Sequence, residues 1–206
     1  MRTLFAFLLL IPICIANAQL KVNYDDAKII FTDGKSRKGL AETTMGDKVL
    51  LFKATKDAEP EKIDVDKLRT FVYLEDDKKT TEVEYDRIKV YLGWKQTRMS
   101  DLGWYQVVER GIATLYVKGT TMQGSIYNPQ SAAGFLDYFI IRSGEPAAKM
   151  IANISSANNN QTFRAKAPLY FQDYPALAAK IKSKEYTWKD LVPVVQEYNK
   201  WATKKK

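Results

Sequence analysis

The chain has 206 residues, a formal net charge of +8, one cysteine and no histidine. The last two counts exclude Ser-His-Asp and Cys-His nucleophilic centres, zinc sites built from His and Cys, and His-ligated haem. Carboxylate, Lys, Tyr, Ser and Arg chemistry is what remains, and no cofactor or metal is expected.

Residues 1–18 read as a secretory signal peptide: Arg2 is the positive n-region, Leu4 to Ile15 the apolar run, and Ala16-Asn17-Ala18 the small-x-small cut before Gln19. The run is shorter than the roughly 20 residues of a membrane span, so no transmembrane span is expected after cleavage. Cys14 follows bulky Ile13, which argues against a lipoprotein anchor. The segment 19–206 reads as one domain without cysteine, exported to the periplasm or secreted.

Lys28 to Thr32 reads as a strand, and Asp33-Gly34 after it predicts a two-residue hairpin turn with Ser36 to Ala41 returning. Val49 to Phe52 and Leu68 to Leu74 are further strands, separated by a charged loop over Asp57 to Glu61. Glu82, Glu84 and Asp86 alternate with apolar residues, placing three acids on one strand face. Trp104 to Glu109, Ile112 to Lys118 and Phe135 to Arg142 complete the strand pattern, and Leu92-Gly93/Leu102-Gly103 predicts a hairpin. Ser155 to Thr162 reads as a loop. From about 166 to 201 the texture is helical, with Asp173 and Thr187 as cap candidates and Leu191, Val194, Val195 and Tyr198 at helical spacing. Pro193 requires either a helix that starts late or a kink. The expectation is an α+β domain: an antiparallel β-rich body (a curled sheet, small barrel or sandwich) followed by two or three C-terminal helices.

Charge is spread unevenly. Arg87 to Lys206 carries 18 bases and 8 acids, whereas Asp57 to Asp86 carries 5 bases and 11 acids. A basic C-terminal surface of Lys180, Lys182, Lys184 and Lys189 could meet an anionic membrane or glycan; Lys at helix ends also simply complements the helix dipole. Nucleic acid is disfavoured, because Lys outweighs Arg and no recognised module is present. Trp94, Trp104 and Tyr105 are ligand-binding candidates, since exposed aromatics stack on sugars, although large aromatics beside glycine more often fill a core. The alternating acids have spacing compatible with a glycosidase pair, but a solvated strand face has the same spacing.

Tyr170-Phe171-Gln172-Asp173-Tyr174-Pro175, with Leu177, Lys180-Ile181, Lys184-Glu185-Tyr186, Asp190 and Val194-Val195 to Tyr198-Asn199, resembles a family of exported proteins of Bacteroidetes-type bacteria for which no activity is established. The Ile30 to Gly39 hairpin and Gly111 to Tyr116 are similar to it too. The resemblance implies a periplasmic or outer-envelope location. The reading favoured is a non-enzymatic envelope protein binding a ligand or a protein partner. The alternative is a carboxylate-based enzyme acting on envelope or extracellular glycans.

Overall fold

The computed structural model describes residues 23–42, 48–74, 82–93, 95–122, 133–154 and 159–205. The signal-peptide reading of residues 1–18, Cys14 and Trp94 fall outside them. The chain is α+β, as its patterning implies: antiparallel strands first, helices last.

Strands β1 (Tyr24–Phe31) and β2 (Ser36–Glu42) form the expected hairpin. Its loop is one residue longer than the Asp-Gly signal predicts. Phe31 N–H bonds Lys35 O at 2.8 Å, closing a loop of Thr32, Asp33 and Gly34. Of these three only Gly34 has positive φ, at 87°, which is the geometry of a three-residue hairpin rather than a two-residue turn. Then come β3 (Val49–Lys53), β4 (Glu61–Asp64), a 3-10 turn over Val65–Lys67, β5 (Leu68–Leu74) and β6 (Glu82–Ile88). A small separate hairpin, β7 (Tyr91–Leu92) with β8 (Arg98–Met99), precedes β9 (Gly103–Glu109), β10 (Ala113–Met122), β11 (Ala133–Arg142) and β12 (Lys149–Ile154). Ten strands pair in the order β12-β11-β10-β9-β6-β5-β1-β2-β3-β4, every pair antiparallel, and the sheet does not close. Of the three architectures anticipated, this is the curled sheet.

The pairing register divides the sheet into two faces. The face that carries Ile29, Phe71 and Tyr85 continues through Gln106 and Val117 to Tyr138. We call it the inner face. In the N-terminal half the sheet covers this face with itself. Strands β2 and β3 pair at only two positions, Leu40 with Lys53 and Ala41 with Phe52, so the β3–β4 hairpin can fold over the β1–β5 pair. Gly39 permits the crossing: a Cβ there would lie 2.2 Å from Lys53 O and 2.6 Å from the Phe52 ring. From β6, Arg87 reaches across to donate to Val65 O at 2.9 Å and to pair with Asp66, closing the curl over Ile29, Leu50, Phe52 and Phe71.

In the C-terminal half the same face is covered by helices. They are α1 (Asn159–Tyr170), α2 (Pro175–Lys182) and, after a 3-10 turn over Trp188–Asp190, α3 (Leu191–Thr203). Phe163, Phe171, Leu177, Ile181, Val194 and Val195 bury against Ala113, Leu115, Ile140 and Ala152. Helix α1 corrects the loop expected over Ser155 to Thr162. Polar Asn159-Asn160-Gln161-Thr162 has little helical drive of its own, but Phe163 and Ala167, four apart, are fully buried against the sheet and win. Residues 155–158 of that expected loop lie outside the described residues.

Two caps show how the helical layer is set. Thr187, a cap candidate from sequence, forms a reciprocal capping box with Asp190, and α3 begins after it, so Pro193 sits in its first turn. Asp173, by contrast, does not cap α2, whose N-cap is Tyr174 with no side-chain cap bond. The Asp173 carboxylate instead accepts from Arg142 at 2.9 Å and from Tyr198 OH at 2.8 Å. No helix among the described residues is long and apolar enough to cross a membrane.

The open sheet has two edges. At one, β4 is four residues long and carries Glu61, Lys62 and Asp64 exposed; at the other, β12 lies under α1, and Gln96 donates to Met150 O at 2.9 Å. Short, charged or covered edges resist pairing with another chain.

Candidate functional site

The outer face of the N-terminal half is the part of the sheet left open. Alternation along β1 sends Tyr24, Asp26, Lys28 and Ile30 to this side, opposite the buried Ala27 and Ile29. Register adds Lys38 and Leu40 from β2, Val72 and Leu74 from β5, and Glu82 and Glu84 from β6. Together they line a groove of about 1260 Å³ with Lys53 to Lys56 at its rim. The floor combines aliphatic Ile30, Leu40, Val72 and Leu74 with Asp26 and Lys28 of the central strand β1; Lys38 and Lys53 lie on the β2–β3 side and Glu82 and Glu84 on the β6 side.

Lys28 and Lys38 are direct cross-strand partners. Like charges directly opposite on a sheet repel, and neither lysine has an ion-pair partner among the described residues. At the rim, Lys53 Nζ sits 5.0 Å above the Tyr24 ring.

Beyond the acidic wall lies a buried polar node. Asp86 is only 7% exposed, which corrects the expectation of three acids on a solvated strand face. Thr70 donates to Asp86 Oδ1 at 2.7 Å, Tyr116 OH to Oδ2 at 2.8 Å, and Arg110 to Oδ1 at 2.9 Å. Arg110 also binds Glu84 through Nε at 2.9 Å and through a terminal nitrogen at 2.7 Å. The hydrogen bond to Glu84 raises the Arg110 pKa most; burial opposes the rise, and Asp86 adds to it. Burial, reinforced by the Asp86 charge, pushes the Tyr116 phenol well above its ordinary range, so it stays a proton donor. One arginine thus occupies both carboxylates. A glycosidase pair needs one acid free to protonate and another free to attack or to activate water.

The aromatic candidates do not share a surface. Trp104 points to the inner face and meets Phe71 edge-on at 6.5 Å between ring centroids. Tyr105, on the next residue and therefore the other face, is buried edge-on to Phe139 at 5.2 Å, with Lys118 over its ring at 4.8 Å. Burial and the Asp137 charge raise its pKa. Trp94 lies outside the described residues.

The lysine candidates are also dispersed. Lys180 turns inward, binding both oxygens of Glu197 at 3.1 Å, and Tyr186 OH adds a 2.6 Å bond to the same carboxylate. Burial pushes the Glu197 pKa up, but the bonds from Tyr186 and Lys180 outweigh it and the net shift is down. Lys184 terminates α2 at φ 70°: its N–H bonds Ile181 O and the Glu185 N–H bonds Lys180 O, a Schellman closure with lysine where glycine is usual. Lys189 lies 5.9 Å over the Trp188 ring, and Lys182 is exposed.

The groove residues were missed by sequence reasoning. Alternation at Tyr24, Asp26, Lys28 and Ile30 was visible, but which face stays open depends on β3–β4 folding over the other one. Among the described residues no group of three or more acidic, Cys or His side chains could hold a metal ion. Comparison with protein-family models, curated proteins and solved structures finds no match to this chain.

Proposed function

We propose that this is an exported, non-enzymatic binding protein whose outer-face groove takes an extended acidic segment of a protein partner in the envelope. The observation that carries the reading is the Lys28–Lys38 pair, two cations opposed across neighbouring strands with no ion-pair partner among the described residues, beside the aliphatic side chains of the floor. A carboxylate seated between them would relieve their repulsion, and side chains alternating with it would reach Ile30, Leu40, Val72 or Leu74. The aliphatic side chains suit a polypeptide better than a sugar, which is favoured by open aromatic platforms, and the one aromatic ring of this face, Tyr24, has Lys53 over it. The signal-peptide grammar of residues 1–18 and the resemblance to exported proteins support the location. The occupation of Glu84 and Asp86 by Arg110 favours binding over glycan hydrolysis.

The test titrates the mature protein with a short fluorescent alternating Glu–Leu peptide, its Lys–Leu counterpart and polygalacturonate. Saturable binding of the Glu–Leu peptide, abolished in a Lys28→Glu, Lys38→Glu variant, is the expected result. No peptide binding, or equal binding to the Lys–Leu peptide, overturns the proposal; polygalacturonate alone binding moves the assignment to an acidic glycan. Mass spectrometry of protein recovered from cell fractions tests export, expected to show an N-terminus at Gln19.

A further inference from the structure

The groove is polarised across its strands. Strands β2, β1, β5 and β6 are consecutive neighbours in the sheet. Lys38 faces Lys28, Lys28 faces Val72 and Val72 faces Glu84, so one row of side chains runs from two cations over an aliphatic residue to an acid. In the next row Lys53 faces Leu40 and Leu40 faces Asp26, while Leu74 faces Glu82. Both rows are basic toward β2–β3, aliphatic toward β5 and acidic at β6, with Asp26 the one acid of the central strand.

Neither end neutralises itself. Lys28, Lys38, Lys53 and Lys56 stand against a single carboxylate, Asp26, which is itself engaged. At the other end Arg110 is shared between Glu84 and Asp86, so one cation serves two acids. Glu82 is exposed at the start of β6 and has no ion-pair partner among the described residues. The groove thus offers unmatched positive charge on one side and an unmatched acid on the other.

Their separation has a length. Neighbouring strands lie ~4.8 Å apart, so β6 is roughly 10 Å from β1 and roughly 14 Å from β2. Glu82 is two residues along β6 from Glu84, an offset of roughly 7 Å, which makes the line from the Lys28–Lys38 pair to Glu82 roughly 14 Å long. An extended chain advances ~3.3 Å per residue, so roughly four residues span that line. Residues i, i+2 and i+4 of such a chain point the same way. We propose, resting on the peptide reading above, that the partner segment crosses the strands and carries an acid at i, an aliphatic residue at i+2 and a base at i+4. The acid lies between Lys28 and Lys38, the aliphatic side chain over Val72 and Leu74, and the base on Glu82. Glu82 sets the register of the segment, because a second acid in place of the base would meet it as a like charge.

The experiment follows the fluorescence anisotropy of labelled, end-capped peptides with the cores Glu-Thr-Leu-Thr-Lys, Glu-Thr-Leu-Thr-Gln and Glu-Thr-Leu-Lys-Thr as the mature protein is added. The first is expected to bind about two- to fivefold tighter than the second, the range of an exposed ion pair. The third, whose lysine points away from the sheet, should show no such gain. Glu82→Gln should remove the preference for the lysine, and Asp101→Asn, which removes an exposed acid that does not line the groove, should leave it intact. Equal binding of the first and third peptides, or a preference that survives Glu82→Gln, overturns this register; the peptide groove itself still stands if Lys28→Glu, Lys38→Glu abolishes their binding. Failure of every peptide, the alternating Glu–Leu peptide included, overturns both readings.

Discussion

The two halves of the sheet solve one problem differently. Each must cover the same inner face. The N-terminal half does so by bending β3–β4 over β1–β5, and the C-terminal half by laying three helices on β10–β12. The outer faces differ as a result. In the C-terminal half a second cluster of Val90, Tyr105, Tyr116, Phe139 and Ala148 makes β10 and β11 buried on both sides. In the N-terminal half the outer face stays open as the groove. Asp86 stands at the seam, tying β5 and β6 to β10 through Thr70, Tyr116 and Arg110. A sheet that covers itself on one side leaves the other open to solvent; a sheet between two layers is buried on both.

The largest expected effect tests whether the halves unfold together. Phe171 is fully buried under the helices, and Phe171→Ala should cost about 3–5 kcal/mol. Hydrogen exchange should show protection falling in both halves alike; loss confined to β10–β12 and the helices would show two separable units. Asp86→Ala attacks the seam directly, leaving Thr70, Tyr116 and Arg110 without their shared acceptor, and should cost roughly 1–3 kcal/mol. A urea transition that broadens or splits in this variant would identify the node as the coupling element; one that shifts without splitting would place the coupling in the β6–β9 pairing.

Gly39→Ala strikes the curl alone, and overpacking of about 1–3 kcal/mol is expected, with exposure of the Phe52 cluster read by dye binding. Acidification reaches both halves, since the bonds to Lys35 and Arg37 hold Asp33 and Glu61 below their ordinary pKa values in the N-terminal half, and Glu197 is the group to remove in order to isolate the helical layer. Glu197 has a folded pKa below its ordinary 4.5, so its stabilising contribution is present in full above about pH 4.5 and is lost as pH falls through the lowered value. In Glu197→Gln the stability of the wild type and variant should converge at low pH; a constant gap would remove Glu197 from the acid response. The smallest effect has the opposite sign. Lys184→Gly relieves a left-handed lysine and should gain about 1 kcal/mol, measured as a raised thermal midpoint.

What was legible in sequence was local. The Ile29/Phe31 strand and its glycine turn, the Leu68 to Leu74 strand, and the Thr187–Asp190 box all depend on neighbours in the chain. Strand β12, Lys149–Ile154, was not anticipated: it is nearly continuous in apolar burial at Ile151 and Ala152, so it lacks the alternation of a half-exposed strand. Helix α1 was hidden for the converse reason, since only the sheet beneath Phe163 and Ala167 makes a helix of its polar start. Asp86 looked like its neighbours Glu82 and Glu84 until Tyr116 and Arg110, remote in sequence, enclosed it. The groove depends on register between β1, β2, β5 and β6, which period-two patterning does not encode.

Asn199, near the end of α3, accepts from Ala113 N at 2.8 Å and donates to Ala113 O at 2.9 Å, acting as a side-chain substitute for a strand partner. Gly111 makes room for it, since a Cβ there would lie 2.1 Å from the Asn199 amide nitrogen. These partners are 86 residues apart, so the start of β10 is completed by an element remote from it in sequence. The Ala113 N–H and C=O therefore stay without these partners until α3 docks, so the far helix and the strand it completes stand or fall together.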